Sequence, residues 1–139
     1  MSADARYVPS PEGLNLQLHR AAVAAGRLHL QRCGDCGTYR HPPRYYCAAC
    51  GSPAYDLVPS GERGTVHSLV VTHRSFDPGW AGEVPHATVA VELDEGPRVI
   101  GALRGGNPTT VRIGNRVRVS IEPRGDDFAF VWVETDGAA

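Results

Sequence analysis

The sequence predicts a mainly β protein in which an N-terminal helix leads into a small metal-binding ribbon and then a five-stranded barrel. Three observations support this fold class. Two Cys-x-x-Cys pairs lie within residues 33–50, apolar residues recur at helical spacing before them, and alternate residues are apolar along several later segments. A chain of 139 residues suits one ordinary domain or two small lobes. We divide it into a tail and helix (1–27), a ribbon (28–59) and a barrel (60–139).

One N-terminal helix, or a broken pair of helices, is predicted over about residues 11–25, after a disordered or loosely docked tail at residues 1–9. Ser10 is a favourable capping residue and Pro11 suits the first helical position. Gly26 is typical of the residue that ends a helix. The apolar stripe is narrow and consists of Leu14, Leu18, Ala21, Ala22 and Ala25. We therefore expect close packing of the helix, either against this chain's own ribbon or against a partner.

The ribbon is defined by four cysteines, Cys33, Cys36, Cys47 and Cys50. Each pair precedes a glycine (Gly37, Gly51), which can take the positive φ that turns backbone N–H groups towards the sulfurs. Four facing thiolates suit Zn²⁺, and a closed four-sulfur shell leaves no open position for catalysis. The sequence therefore predicts a structural zinc site. Iron in a rubredoxin-like site is the less favoured alternative, because the same soft ligands bind it.

Disulfide bonds are the other possible use of four cysteines. The first eleven residues are polar and lack the apolar segment of a secretory signal. We therefore expect a cytoplasmic protein with reduced thiols, in which paired Cys-x-x-Cys motifs bind metal. No stretch approaches the roughly 18 apolar residues needed to cross a membrane. About thirty ribbon residues bury little apolar surface, so the metal is expected to supply most of the ribbon's stability.

Five segments after residue 60 have the alternation of β-strands: 65–72, 87–93, 98–103, 116–121 and 128–134. In the second, Val89, Val91 and Leu93 lie on one face. Residues 130–133 are apolar on both faces, as in a strand that is covered on each side. Five antiparallel strands with bent, glycine-rich connections suit an OB barrel, and an SH3-like barrel is the alternative.

Composition and motifs disfavour several functional classes. A net charge of −1 disfavours a general nucleic-acid-binding protein, because such domains are usually basic. All fourteen basic residues are arginine, so a Walker-type phosphate loop and a lysine Schiff base are excluded. The sequence also lacks the G-x-S-x-G, H-E-x-x-H and G-x-G-x-x-G motifs. We therefore expect no catalysis by this chain alone.

Two features suggest a binding surface. The loop at residues 73–85 carries Phe76 and Trp80, whose rings either fold back on the barrel or anchor a partner. Between residues 98 and 124, six arginines accompany a single acid, Glu122: Arg98, Arg104, Arg112, Arg116, Arg118 and Arg124. They form either a solvated barrel face or a site for a phosphorylated ligand or an acidic partner.

Five stretches of the sequence together carry a family resemblance: CGDCG, HPPR before CAACG, SGERGTVHSLVVTH, VAVELDEGPRVIGAL and VRIGNRVRV. They cover roughly residues 26–123 and resemble the zinc-ribbon/OB-fold proteins associated with acyl-CoA metabolism, long catalogued only as a domain of unknown function. The resemblance implies an N-terminal helical segment, a rubredoxin-like zinc ribbon with the four cysteines as ligands, and an OB barrel. A Phe-Trp pair often seen in the family's helix is absent; Leu18-His19 stands nearby.

The resemblance also implies a function, as a small non-catalytic subunit of a thiolase-fold enzyme: an acyltransferase, a thiolase, or a lipid-transfer-protein-like aldolase that shortens steroid side chains. We expect acyl-CoA at the shared interface and two copies of this chain per enzyme dimer, a heterotetramer. Phe76 or Trp80 would anchor the partner, with arginines at the rim of the CoA channel: Arg98, Arg104, Arg116 and Arg118. A module that binds single-stranded nucleic acid is the alternative, because ribbons and OB barrels also serve that purpose.

Overall fold

The computed structural model describes residues 6–105 and 107–136. One helix is followed by a three-stranded ribbon sheet and a five-stranded barrel, so the predicted fold class is confirmed. The elements are α1 (Gly13–Ala25), β1 (His29–Cys33), β2 (Tyr39–Arg40), β3 (Tyr55–Pro59), β4 (Arg63–Thr72), β5 (His86–Leu93), β6 (Arg98–Leu103), β7 (Arg116–Pro123) and β8 (Ala129–Thr135). No helix in the described part of the chain is long and apolar enough to cross a membrane.

Helix α1 begins two residues later than predicted. Gly13 has φ +59°, and a right-handed helix cannot extend back through such a residue. Glu12 therefore occupies the N-cap position and makes no side-chain capping hydrogen bond. The capping role predicted for Ser10 and the first-position role predicted for Pro11 are both wrong.

The end and the packing of α1 follow the prediction. Gly26 is left-handed, with φ +68°, and its N–H donates to the carbonyl of Val23. Leu18 and Ala22 are buried, and the helix contacts β1 and β3 of the ribbon as well as β7 and β8 of the barrel. The narrow stripe thus packs in the angle between this chain's own ribbon and barrel.

The ribbon is an antiparallel sheet in the order β2-β1-β3. Gln31 of the central strand lies opposite Arg40 on one side and Leu57 on the other. The sequence analysis did not predict β2 or β3. The first is only two residues long, and the second lies between Pro53 and Pro59, in a segment without strand-like alternation.

The barrel closes in the order β4-β5-β6-β8-β7, with β7 returning to pair with β4. This order is that of the five-stranded OB barrel, so the OB prediction is confirmed and the SH3-like alternative is not. One detail of the prediction is wrong, because β6 and β8 run parallel and only the other neighbours are antiparallel.

The barrel core consists of inward-facing aliphatic side chains: Val66, Val89, Val91, Leu93, Val99, Val117, Val119 and Val133. Leu28 and Leu30 of ribbon strand β1 belong to the same cluster. On β8, Val133 faces this core while Trp132 lies in an aromatic cluster on the outer face. The strand is therefore covered on both faces, as its sequence predicts.

Candidate functional site

The four cysteine sulfurs converge in one cluster. All four Sγ atoms lie within 4.8 Å of one another, and the Cys33–Cys50 and Cys36–Cys47 distances are both 3.6 Å. A tetrahedron with zinc–sulfur bonds of about 2.3 Å has edges of about 3.8 Å, whereas a disulfide needs sulfurs about 2.05 Å apart. The cluster therefore fits four ligands around one metal ion and does not fit two disulfides.

The two Cys-x-x-Cys turns have the same backbone geometry. Gly37 N–H donates to the carbonyl of Cys33 at 3.1 Å, and Gly51 N–H donates to that of Cys47 at 2.8 Å. In each turn the N–H of the first cysteine donates to the carbonyl five residues later, at 2.8 and 2.9 Å. Both glycines have φ +78°, a conformation that side chains disfavour. The glycines predicted to shape the knuckles therefore do so.

Backbone N–H groups around the sulfurs favour thiolates. The N–H of Cys36 makes the largest contribution to lowering the pKa of Cys33, which falls to about 6. The N–H of Cys50 likewise lowers the pKa of Cys47. At Cys50 the N–H of Ser52 lowers the pKa, but burial and hydrogen bonds to the other three sulfurs outweigh it and raise the pKa to about 12. A metal ion bound by four thiolates would displace the proton from Cys50.

Two buried polar side chains that sequence analysis did not single out hold the segment between the turns. Gln31 is fully buried; its Nε2 donates to the carbonyl of Arg44 at 2.9 Å and its Oε1 accepts from the N–H of Arg44 at 2.8 Å. Arg40 is 5% exposed, and its guanidinium donates to the carbonyls of Arg44, Ser52 and Ala54 at 3.0–3.1 Å. Both side chains fix a stretch of backbone that has little regular structure.

Arg40 also acts on the metal site itself. The Arg40 guanidinium near Cys33 makes a smaller contribution to the lowered pKa of that thiol, after the backbone N–H groups of Cys36 and Asp35. A cation beside the cluster offsets part of the negative charge that four thiolates accumulate. The sequence offered only one indication that Gln31 and Arg40 support the metal site: both lie within a few residues of the first cysteine pair.

The aromatic loop at residues 73–85 separates its two large rings. Trp80 folds back on the barrel, with its ring centroid 5.6 Å from that of Phe130 and 6.0 Å from that of Trp132. Phe76 is 88% exposed. The geometry of Trp80 is that of the fold-back alternative, and Phe76 is left available to a partner. Whether either ring anchors a partner stays a prediction.

Arg6 fastens the N-terminal segment to this loop. Its guanidinium lies 3.9 Å above the ring of Trp80, donates to the carbonyl of Gly79 at 3.2 Å and pairs with Glu83 at 2.6 Å. The expectation of a loose tail is therefore wrong at Arg6, whose side chain is 9% exposed. Residues 1–5 of that tail lie outside the described residues.

The arginines predicted for a CoA or partner site all have acidic neighbours. The ion pairs are Arg98–Glu92 at 3.8 Å, Arg104–Glu122 at 3.2 Å, Arg116–Asp94 at 2.8 Å and Arg118–Glu134 at 3.4 Å. Three of the four acids lie outside the arginine-rich segment and meet it only because the strands and their turns come together. The positive charge is therefore balanced locally, and a role of these arginines in binding CoA or a partner stays a prediction.

The outer face of β4, β5 and β6 carries an uncharged strip. Paired residues of neighbouring strands share a face, and two such rows cross the three strands. The strip consists of Ser68, Val70, Thr88, Ala90, Ile100 and Ala102. Val70 is 63% exposed and Ile100 is 68% exposed. Exposed apolar side chains grouped on one sheet face are typical of a protein interaction surface.

Two family models match adjoining parts of the chain. The rubredoxin-like zinc ribbon domain of ChsH2 matches residues 20–56, and the C-terminal OB-fold domain of ChsH2 matches residues 57–122. The metal site thus lies in a zinc ribbon, as predicted, and the uncharged strip lies on the OB-fold domain.

The matched region makes up different shares of the similar proteins. The chain is 41% identical over 93 residues to a probable enoyl-CoA hydratase alpha subunit of Thermomonospora curvata, with 67% of this chain covered. It is 40% identical over 110 residues, 79% of this chain, to the 3-oxo-4,17-pregnadiene-20-carboxyl-CoA hydratase alpha subunit of Mycobacterium tuberculosis. It spans only 28% and 34% of those two proteins. A DUF35 domain-containing scaffold protein of Methanocaldococcus jannaschii is 29% identical over 103 residues, 69% of this chain and 70% of that protein.

A solved structure matches nearly the whole chain. It is an Ltp2-ChsH2(DUF35) aldolase, in which the matched chain superposes with a TM-score of 0.80 at 32% identity. The match covers 92% of this chain and 98% of the matched one. Because the two family models adjoin over residues 20–122 and this relative is similar over almost its full length, the chain belongs to the ChsH2 family of DUF35 proteins, with a zinc ribbon followed by an OB barrel.

Proposed function

We propose that this chain is a non-catalytic accessory subunit that binds and stabilises a thiolase-fold acyl-CoA enzyme and helps to form its CoA channel. The observation that carries the proposal is the near-complete match to a chain of the Ltp2-ChsH2(DUF35) aldolase. The scaffold name of the Methanocaldococcus relative supports the same role. The chain's own chemistry agrees, because the four thiolates form a closed metal shell with no position for a substrate.

The metal in the proposal is one structural zinc ion held by Cys33, Cys36, Cys47 and Cys50. Two of the six sulfur–sulfur distances are 3.6 Å and the rest are at most 4.8 Å, which suits a tetrahedral ion, and zinc is the usual ion of such ribbons. Zinc would hold the ribbon in shape and take no part in the partner's reaction. Iron is the alternative that metal analysis of the purified protein would reveal.

The uncharged strip is the proposed docking surface. Its six residues carry no charge, so their burial against a partner leaves no ion without a counter-charge. Arg98 lies at one end of β6 beside the strip, and its pair with Glu92 at 3.8 Å is the longest of the four predicted arginine pairs. Arg98 is therefore the arginine that we place nearest the phosphates of CoA, with Phe76 as a further anchor at the rim.

The accessory role predicts a gene for a thiolase-like protein beside the gene for this chain, and the test is co-expression with that protein, followed by co-purification. Ile100→Asp introduces a charge into the strip at a side chain that is already 68% exposed, so the fold should persist. Because loss of a central interface contact typically costs 2 kcal/mol or more, affinity should fall at least roughly thirtyfold. Two copies of this chain per enzyme dimer are expected by symmetry.

Ile113→Asp is the matched control, since Ile113 is 70% exposed and lies outside the strip. It should leave the complex intact. The accessory role is wrong if the two proteins do not co-purify, or if the thiolase-like protein is equally soluble and active without this chain. If the complex forms and both aspartate variants bind equally, the accessory role stands and the strip is the wrong surface.

Nucleic-acid binding, the alternative from sequence, gains no support from the surface. The four arginines that would face phosphates are paired with acids, and the net charge is −1. A single-strand binder needs an unbalanced basic groove and shows a steep loss of affinity with salt. Submicromolar binding of single-stranded DNA at physiological salt, with that salt dependence, would favour the alternative over the accessory role.

A further inference from the structure

The segment between the two cysteine turns carries three exposed side chains in succession, Arg44, Tyr45 and Tyr46, which we call the ribbon tip. Tyr45 is 69% exposed and Tyr46 is 66% exposed, and Arg44 is exposed as well. Arginine and tyrosine are among the residues that most often dominate the binding energy of protein interfaces. The ribbon tip is therefore a candidate interaction surface.

The backbone of the ribbon tip is held from inside the ribbon. Gln31, which has no exposed surface, accepts from the N–H of Arg44 at 2.8 Å and donates to the carbonyl of the same residue at 2.9 Å. Arg40 donates to that carbonyl as well, at 3.0 Å. At the other end, Tyr46 is followed directly by Cys47, whose sulfur lies in the metal cluster. The two tyrosines thus lie between two fixed points of the backbone.

A surface fixed in this way loses little conformational freedom when it binds. The backbone of the ribbon tip becomes ordered when the ribbon folds, so this ordering does not weaken association with a partner. Neither Tyr45 nor Tyr46 is a metal ligand or a member of the apolar core cluster. The metal site therefore explains why the backbone is held, but not why two large aromatic side chains stand exposed on it.

Arg44 has no counter-charge among its neighbours. Of the fourteen arginines, it is the one whose side chain forms no ion pair, hydrogen bond or cation–π contact within the described residues. The sequence offers it no nearby acid either, because none occurs between Asp35 and Asp56. A guanidinium has five N–H donors and no acceptor, and its geometry matches that of a carboxylate. The ribbon tip therefore complements an acidic surface.

The segment that leads into the ribbon tip borders the uncharged strip. His41 and Pro42 line a concave space of about 690 Å³ together with three residues of the strip, Thr88, Ile100 and Ala102. Arg44 follows Pro42 by two residues, which span at most about 7 Å of extended chain. A partner that covers the strip is therefore within reach of the ribbon tip, and both surfaces suit one continuous interface.

From the exposed tyrosines, the fixed backbone and the unpaired guanidinium, we propose that the ribbon tip docks onto an acidic patch of the enzyme that this chain accompanies. Arg44 would pair with carboxylates of that patch, while the rings of Tyr45 and Tyr46 pack against it. The proposal rests on the accessory role and adds a second point of attachment beside the strip. The metal would serve the complex indirectly, because it holds one end of the ribbon tip.

The test measures the affinity of the metal-loaded full chain for the thiolase-like protein, by biolayer interferometry at low and at high salt. Arg44→Glu should weaken the complex roughly tenfold or more at low salt and make binding less dependent on salt, because the new charge repels the acidic patch. Tyr45→Ser and Tyr46→Ser should weaken it at both salt concentrations, since they remove packing rather than charge. All three side chains are exposed, so metal content and melting temperature should stay unchanged.

Arg112→Glu is the matched control, because Arg112 is exposed, undergoes the same change of charge and lies beside Ile113, outside the strip. It should leave the affinity nearly unchanged. The proposal is overturned if Arg44→Glu and both serine variants bind the enzyme as the unmodified chain does, or if Arg112→Glu weakens binding as much as Arg44→Glu.

Three further outcomes separate this proposal from the accessory role. If Ile100→Asp weakens the complex and the ribbon-tip variants do not, the accessory role stands and the ribbon tip lies outside the interface. If the unmodified chain does not bind the enzyme at all, the accessory role fails and this proposal fails with it. Tyrosines and arginine also suit single-stranded nucleic acid. Binding of single-stranded DNA that Arg44→Glu abolishes, with enzyme binding unchanged, would assign the ribbon tip to nucleic acid and overturn the proposal.

Discussion

The ribbon and the barrel are built from different interactions. The barrel encloses an aliphatic cluster in which Val89, Val91 and Val117 have no exposed surface. The ribbon buries polar side chains instead, with Gln31 fully enclosed and Arg40 nearly so, next to the cysteine ligands. The barrel thus derives its stability from apolar burial, whereas the ribbon depends on satisfied hydrogen bonds and on a metal ion.

The difference shows what a metal replaces in a small lobe. About thirty residues cannot enclose enough apolar surface to offset their conformational entropy. Buried polar groups are costly without partners. The Gln31 amide and the two terminal nitrogens of Arg40 find theirs mostly among carbonyls and amides of the segment between the cysteine turns, whereas Arg40 Nε has none in the described chain. Those groups meet only when the four sulfurs are held together, so the polar network and the metal require each other.

The two lobes are nevertheless coupled through β1. Leu28 and Leu30 belong to the barrel's apolar cluster, although their strand is the centre of the ribbon sheet. Backbone bonds reinforce the junction, since Ser60 N–H donates to the carbonyl of Leu28 at 2.8 Å. A change at the metal site should therefore reach the barrel.

The largest effect is expected from loss of the metal, by chelation or by Cys47→Ser. Structural zinc contributes about 10–16 kcal/mol in small peptides, and a whole domain is stable by about 5–15 kcal/mol. We expect the amides of β1–β3 to exchange hydrogen at nearly unprotected rates. The barrel should melt at a lower temperature, because Leu28 and Leu30 lose their fixed strand.

Hydrogen exchange read by mass spectrometry, with a thermal melt, measures both lobes in one sample. Restoring zinc to the chelated chain should recover protection, and Cys47→Ser should not recover. An unchanged melting temperature in metal-free protein would show that the lobes are uncoupled. Well-folded protein with less than half an equivalent of zinc or iron would contradict the metal site itself.

A smaller effect is expected from Arg40→Met, which keeps the aliphatic stem and removes the guanidinium. The carbonyls of Arg44, Ser52 and Ala54 each lose one donor but keep a second, from Gln31 Nε2, Cys47 N–H and Gly34 N–H respectively. Hydrogen bonds from a charged donor contribute about 1.5–3 kcal/mol each, and part of this is offset because methionine needs no desolvation of a buried charge. The variant should therefore be about 2–5 kcal/mol less stable. The pKa of Cys33 should rise slightly, because the guanidinium that helps to lower it is removed. Zinc affinity, measured by competition with a chelator, should fall.

Arg32→Met is the matched control, because Arg32 lies on β1 of the same sheet but is exposed. Its Nε bonds to the carbonyl of Gly37 at 3.2 Å in a solvated position, so its loss should change stability by less than about 1 kcal/mol. Equal effects of the two substitutions would mean that burial of Arg40 contributes nothing. Urea unfolding at fixed zinc concentration compares the two.

The sequence predicted best the features that depend on local spacing. The cysteine turns follow from a spacing of three residues, and the barrel strands from alternation with a period of two. Gly26 ends the helix because glycine, which has no side chain, readily takes the positive φ found there. Prediction failed where distant segments meet. The short partner strands of β1 depend on the metal for their position, and the parallel pairing of β6 with β8 depends on barrel closure.

The functional surface shows the same limit. The arginine-rich segment looked basic in sequence, but the strands bring acids such as Asp94 and Glu134 beside it. Phe76 and Trp80 looked equivalent in the sequence. In the structure Trp80 packs against Phe130 of the barrel with Arg6 above it, whereas Phe76 is 88% exposed and contacts Arg74, whose guanidinium is 5.4 Å from the ring centroid. Which side chains meet across neighbouring strands cannot be read from the spacing of residues within one segment. The sequence therefore offered no indication of the acids beside the arginines or of the different packing of Phe76 and Trp80.

The smallest effect concerns the exposed pair of Asp94 and Arg116 on the barrel surface. The guanidinium donates to both carboxylate oxygens, at 2.8 and 2.9 Å, and these hydrogen bonds are the main cause of the lowered pKa of Asp94. A carboxyl whose pKa is lower in the folded state stabilises the fold above its unfolded pKa, and this contribution is lost as the pH falls through the folded pKa.

Asp94→Asn should therefore be slightly less stable than the unmodified chain at neutral pH and equally stable in strong acid. Salt should narrow the difference, since the pair is solvated. Urea midpoints measured across the acidic range, with exposed Asp126→Asn as the control, test this. A stability difference that persists unchanged in strong acid would show that Asp94 acts through something other than its charge.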